Sequence, residues 1–80
     1  MIILTKHADE AREKRGLNLD RIHRTVMAPD LTSVDPVDPT LTRSFKAIDE
    51  AGGRILRVVH RSEGNDTVII TAYFDRNAKP

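Results

Sequence analysis

The sequence predicts an α+β domain, with two N-terminal helices packed on a three- to four-stranded antiparallel sheet. Three observations predict it. Residues 5–28 carry apolar side chains at helical spacing between recognisable caps. Residues 41–75 switch to a two-residue period, interrupted by the turns DEAGG and SEGND. Helices grouped ahead of hairpin-linked strands give the segregated α+β layout. With 80 residues, one domain spanning 1–80 is expected, with a thin core.

The elements follow in order. Met1 to Leu4 is a short apolar run, either an edge strand or the entry to a helix. Thr5 suits an N-cap because its hydroxyl accepts from an orphan backbone N–H, and Gly16 suits the helix stop. On that first helix Leu4, His7, Ala8, Ala11 and Arg15 share a stripe, opposite a charged face that includes Glu10 and Lys14. Asn18 caps a second helix, whose buried side reads as Leu19, Ile22, His23, Val26 and Met27. Pro29 ends it, closing a helical hairpin over 5–28. APDLTSVDPVDPT, rich in Pro and Asp, predicts an extended loop over 29–40 without regular structure.

A β-meander is expected over 41–75, with strands at Leu41–Ile48, Arg54–Arg61 and Thr67–Phe74. TVIITAYF has neither charge nor proline, so it belongs inside the sheet or under a partner. The simplest hairpin register pairs His60 with Val68 and Leu56 with Ala72, turning Leu56, Val58 and Ala72 toward the helices. The opposite face then carries Arg57, Thr71 and Tyr73 among Ile55, Val59 and Ile69. Apolar walls with a few convergent polar groups suit a ligand groove, and suit a dimer interface equally.

Charge excludes some functions. Thirteen basic against 12 acidic residues argue against holding nucleic acid by net charge alone, though a local basic patch remains open. Cysteine is absent, which removes disulfides and thiolate metal sites. Three scattered histidines make a poor metal site, and no phosphate-loop or nucleophile-elbow motif is present, so no metal and no cofactor are expected. The N-terminal run has no basic segment before it and no cleavage site after it, and no stretch is long enough for a membrane span; a cytoplasmic protein without membrane contact is expected.

Two stretches carry a resemblance. TKHADEAREKRGLN, with His7, Arg12, Arg15 and Gly16, and RILRVVHR followed by VIITAYFDR, with Arg57, Thr71 and Tyr73, resemble the two ends of the bacterial domain of unknown function 4258. That family is thought to be related to the RelE, ParE and BrnT toxins of toxin–antitoxin pairs. The resemblance implies a RelE/BrnT-toxin-like fold, and it leaves activity open, because the ParE branch has the fold without ribonuclease chemistry.

If the chain cuts RNA without metal, a base must take the proton of the neighbouring 2′-hydroxyl and cations must hold the phosphate. His7 is then the acid or base, Arg57 the phosphate clamp, and Thr71 and Tyr73 the hydroxyl donors. Arg12, Lys46 and Arg76 are candidates for neighbouring phosphates. The function expected first is a toxin-like endoribonuclease held by an antitoxin-like protein. The alternative is a non-catalytic interaction or homodimerisation module with the same fold. Each residue also has a plainer role: His7 as a packed or capping histidine, Tyr73 as packing with a wet hydroxyl, Arg57 as the ion-pair partner of Glu50 or Asp75.

Overall fold

A computed structural model describes residues 1–77. The elements are β1 (Ile2–Leu4), α1 (Lys6–Arg15), α2 (Leu19–Met27), β2 (Leu31–Val34), β3 (Thr42–Ile48), a 3-10 turn (Asp49–Ala51), β4 (Arg54–Glu63) and β5 (Asp66–Phe74). The strands form one sheet in the order β1-β5-β4-β3-β2. β1 runs parallel to β5, and every other pairing is antiparallel. The α+β class is as the sequence predicts. The sheet is not: it has five strands and is mixed, where three to four antiparallel strands were expected.

Both differences have a physical cause. β2 lies within the segment expected to be an irregular loop. Its residues LTSV sit between Pro29 and Pro36, and all four are exposed, so no alternation of buried and exposed positions marks them in the sequence. β1 is parallel because the chain crosses the whole domain before β5 returns beside it. Thr5 N–H donates to the Ile69 carbonyl at 3.1 Å and Thr67 N–H to the Met1 carbonyl at 2.8 Å.

The helices begin and end where their caps require. Thr5 Oγ1 accepts from Ala8 N–H at 3.1 Å, and Asn18 Oδ1 from Asp20 N–H at 2.7 Å. Such caps contribute about 1 kcal/mol each. Gly16, at φ 65°, takes the left-handed conformation that ends α1 and sends its N–H back to the last turn. The buried side of α2 is narrower than its periodicity suggests. Ile22 and Thr25 are buried and Val26 is half-buried, whereas Leu19, His23 and Met27 are exposed. Thr25 tolerates burial because its hydroxyl donates to the Arg21 carbonyl at 2.8 Å.

Both helices cover the same face of the sheet. Ala8, Leu17 and Ile22 meet Ile48, Leu56, Val58, Ile69 and Ala72 in one core cluster. The two alanines of α1 let that helix approach β5 closely. Ser44 and His60 also lie on the helix side, joined by a 2.7 Å Oγ···Nε2 hydrogen bond. The hairpin β4–β5 turns through Gly64 at φ 60°, with Glu63 opposite Asp66. A bulge follows: Val59 faces Thr71 but His60 faces Ile69, so Ile70 is the extra residue. The register therefore differs from the simple one. Leu56 pairs with Phe74 and Arg57 with Tyr73, and Ile69 turns into the helix-side core.

Burial holds the pKa of His60 below its ordinary value. The unfolded chain then binds a proton that the folded protein resists, so the stability linked to His60 is fully present above about pH 6.5 and is lost as pH falls toward the lowered folded value. Urea midpoints measured from pH 7.5 down to pH 5 are expected to fall, and His60→Gln is expected to flatten that slope. Asp35 and Glu50, whose carboxyls are held low by Asp38 N–H and Arg24 respectively, lose their contribution only at more acid pH.

Candidate functional site

Among the described residues no element lies across the sheet face away from the helices, yet Ile55 and Val59 on that face are each only 7% exposed. Long side chains from the strands provide the cover. Arg57, mid-strand in β4, lies between Phe45 of β3 and Tyr73 of β5, because the registers place both opposite it. Its guanidinium carbon is 5.3 Å from the Phe45 ring centre and 5.2 Å from that of Tyr73. Arg15, the last residue of α1, reaches over the sheet edge, donates to the Ala72 carbonyl at 3.5 Å and sits 5.8 Å from the same tyrosine ring. Arg15, Tyr73, Arg57 and Phe45 thus form an alternating row of cations and rings, all within cation–π range.

The row ends in an open cleft of about 520 Å³, whose lining includes Leu31, Ser33, Phe45, Ile55, Arg57, Asp75 and Asn77. The Arg57 guanidinium donates to Asp75, and the side chains of the pair are 20% and 7% exposed. Asp75 is itself fixed: its N–H donates to the Ile55 carbonyl at 2.8 Å, and its Oδ1 accepts from Asn77 N–H at 2.9 Å. Arg57 Nε is buried without a hydrogen-bond partner among the described residues. A buried unsatisfied donor costs about 1–3 kcal/mol; Arg24 Nε, in the ion pairs of α2, is in the same state.

The other candidates lie at varied distances from this row. Thr71 is on the same face, opposite Val59 and two residues from Tyr73. Lys46 contributes to the cleft lining, but its ammonium donates to the Ala28 carbonyl at 2.8 Å and lies 3.8 Å from Asp30. Arg76 is exposed in the turn after β5. Arg12 is on α1, paired with Asp9 at 2.9 Å. His7 is exposed on α1, and no hydrogen bond or ion pair joins it to Arg57, Thr71 or Tyr73 among the described residues. Its neighbour Ala8 packs on the opposite side of the sheet from Arg57. Two members of the row, Phe45 and Arg15, are not among the sequence-predicted site residues. Only the β3–β4 register reveals Phe45, whereas Arg15 was legible as a motif residue at the helix end.

Glu50 is not the partner of Arg57. It binds Arg24, with Arg21 at 3.7 Å, and ties α2 to the turn after β3. Arg54 stacks on Phe74 at 4.1 Å, and Arg61 pairs with Glu63 at 2.7 Å, both at strand ends. No group of His, Asp or Glu suited to a metal ion occurs among the described residues, and no helix among them is long and apolar enough to cross a membrane.

The family model described as Domain of unknown function (DUF4258) matches residues 4–74. The chain belongs to that family. The matched span runs from β1 to the end of β5 and takes in all four members of the row; Asp75 and Arg76 lie beyond it. No curated protein and no solved structure matches the chain.

Truncating Arg57 takes the guanidinium from a largely buried carboxylate and the cover from Ile55, which is destabilising, whereas replacing both partners by neutral groups of similar volume costs less. In urea unfolding, Arg57→Ala is expected to be strongly destabilised and the double variant Arg57→Met/Asp75→Asn to unfold close to the wild type.

Proposed function

We propose that this DUF4258 domain binds single-stranded RNA across its uncovered sheet face and is a toxin-like, metal-free ribonuclease-type domain. The observation that carries the reading is the row Arg15–Tyr73–Arg57–Phe45 leading into the cleft. Single strands are held by rings that stack bases and by cations that follow the backbone, and this row alternates the two. A planar guanidinium suits the phosphate in a way that a lysine does not. Near-neutral overall charge fits such a site, because the cations are placed locally.

In this reading Arg57 holds the phosphate, Thr71 and Tyr73 offer hydroxyls beside it, and Arg76 meets the flanking strand. Arg12 and Lys46 have a smaller part, since neither belongs to the row: Arg12 pairs with Asp9 on α1, and the Lys46 ammonium turns to the Ala28 carbonyl. His7 remains the candidate acid or base. The RelE/ParE/BrnT kinship and an antitoxin-like partner belong to this proposal too. A non-catalytic module with the same fold is the second reading, favoured by the position of His7 away from the row. In that case the RNA or protein held by the face is not cut.

Binding and cleavage separate experimentally. Anisotropy titration of a labelled single-stranded oligoribonucleotide should show affinity falling with salt, with a log–log slope of roughly −0.7 per phosphate held. Phe45→Leu and Tyr73→Leu should each weaken binding by about 1–3 kcal/mol, and Arg57→Met/Asp75→Asn should reduce the salt slope as well. Binding that is absent, or indifferent to all three variants, would sink the proposal. Gel analysis of RNA in cells expressing wild type and His7→Ala then tests chemistry. Loss of RNA with wild type alone assigns His7 to cleavage, and intact RNA with both favours the non-catalytic module.

A further inference from the structure

The strand β2 ends the sheet on one side. Its pairing with β3 sets Leu31 opposite Phe45 and Val34 opposite Thr42, and Asp35 N–H donates to the Leu41 carbonyl at 3.0 Å. In an antiparallel ladder the inward-bonding residues alternate. Leu31, Ser33 and Asp35 therefore bond inward to β3, while the peptide groups of Thr32 and Val34 face outward. Leu31–Val34 is short, at four residues, but within it there is no charge, no proline and no bulge, three of the devices that blunt an edge.

Exposed apolar side chains occur in and around this strand in sequence, Leu31 on the cleft face and Val34 on the helix side. Met27 is 75% exposed, Leu31 60%, Val34 62% and Val37 91%, and these are four of the seven large exposed hydrophobics among the described residues. The opposite edge is different: β1 is only three residues long and carries the N-terminal ammonium beside Asp66.

We propose that a second copy of this chain pairs antiparallel along β2, related by a two-fold axis at Ser33. The free edge is self-complementary in that register. Thr32 faces Val34 of the second copy, and the outward N–H and C=O groups of both residues are used in both directions, giving four hydrogen bonds about the axis. Each Leu31 meets Asp35 of the other copy, and no like charges oppose one another. Asp35 is already held by Arg43 at 3.3 Å, and Asp30 lies at the far end of the pairing beside Lys46. A two-fold contact closes on itself, whereas pairing β2 to β1 of another copy would grow a filament. Leu31 and Ser33 also line the cleft, so the pairing brings the clefts of the two copies together along one ten-stranded sheet.

The test is sedimentation equilibrium on the 80-residue chain, with amide hydrogen exchange on the same samples. Wild type is expected at twice the mass of one chain. Thr32→Pro removes an outward donor and Val34→Lys places a charge against the second copy; each is expected at the mass of one chain, with an unchanged far-UV circular dichroism spectrum. If Thr32→Pro does not fold, Val34→Lys decides. In wild type the amides of Thr32 and Val34 should exchange slowly in the dimer and quickly on dilution, and that of Asp35 slowly in both. A single-chain mass for wild type at millimolar concentration overturns the proposal. So does a dimer that persists in folded Val34→Lys, or one in which the Thr32 and Val34 amides exchange quickly.

Discussion

Arg57 is held on a sheet face that no helix covers, between two rings and against Asp75. Two short helices have enough apolar surface for one side of five strands and none for the other. On the second side Ile55 and Val59 are also buried, with Arg57 between them in β4 and Phe45 and Tyr73 on either side of Arg57. Stems and rings do the covering, while the charged end stays near the surface. One guanidinium is thus roof, ion-pair partner and candidate phosphate contact at once. The carboxylate of Asp75 holds the guanidinium in place beneath the two rings.

The edges of the sheet follow from the same shortage of helix. On one side, β1 covers the start of β5, and beyond it Arg15 reaches the Ala72 carbonyl, so a charge-free strand is not left open. On the other side, β2 has only β3 beside it among the described strands. Ion pairs tie the layers where apolar contact is thin, as when Glu50 joins α2 to the turn after β3. Such partly exposed pairs are worth little singly, and the core cluster around Leu56 and Ile22 carries most of the fold.

The candidate site was legible in part. Arg57, Tyr73 and Thr71 share a face because a period of two puts them there, and the bulge at Ile70 falls on the far side of Thr71, so it leaves their parity intact. Phe45 was not legible: its place beside Arg57 depends on a register across eleven residues of turn and strand. His7 and Arg12 sat beside Arg57 only by motif, and motifs carry no distances. Helical spacing placed His7 on the apolar stripe, but α1 is too narrow to bury it, and only Ala8 and Ala11 enter the interface.

By itself the sequence determined what is local. Caps at Thr5 and Asn18, the stop at Gly16, the period-two strands and their turns all depend on residues within a few positions of one another. Family membership is also carried by the order of residues. Tertiary structure decided what is non-local: that Met1 to Leu4 joins β5 in parallel, that LTSV becomes an edge strand, that Ile69 and not Val68 enters the helix-side core, and that Arg57 takes Asp75. These outcomes share a physical reason. Each is a choice among pairings of similar local cost, and it is made by which surfaces remain to be covered once the helices have taken one face of the sheet.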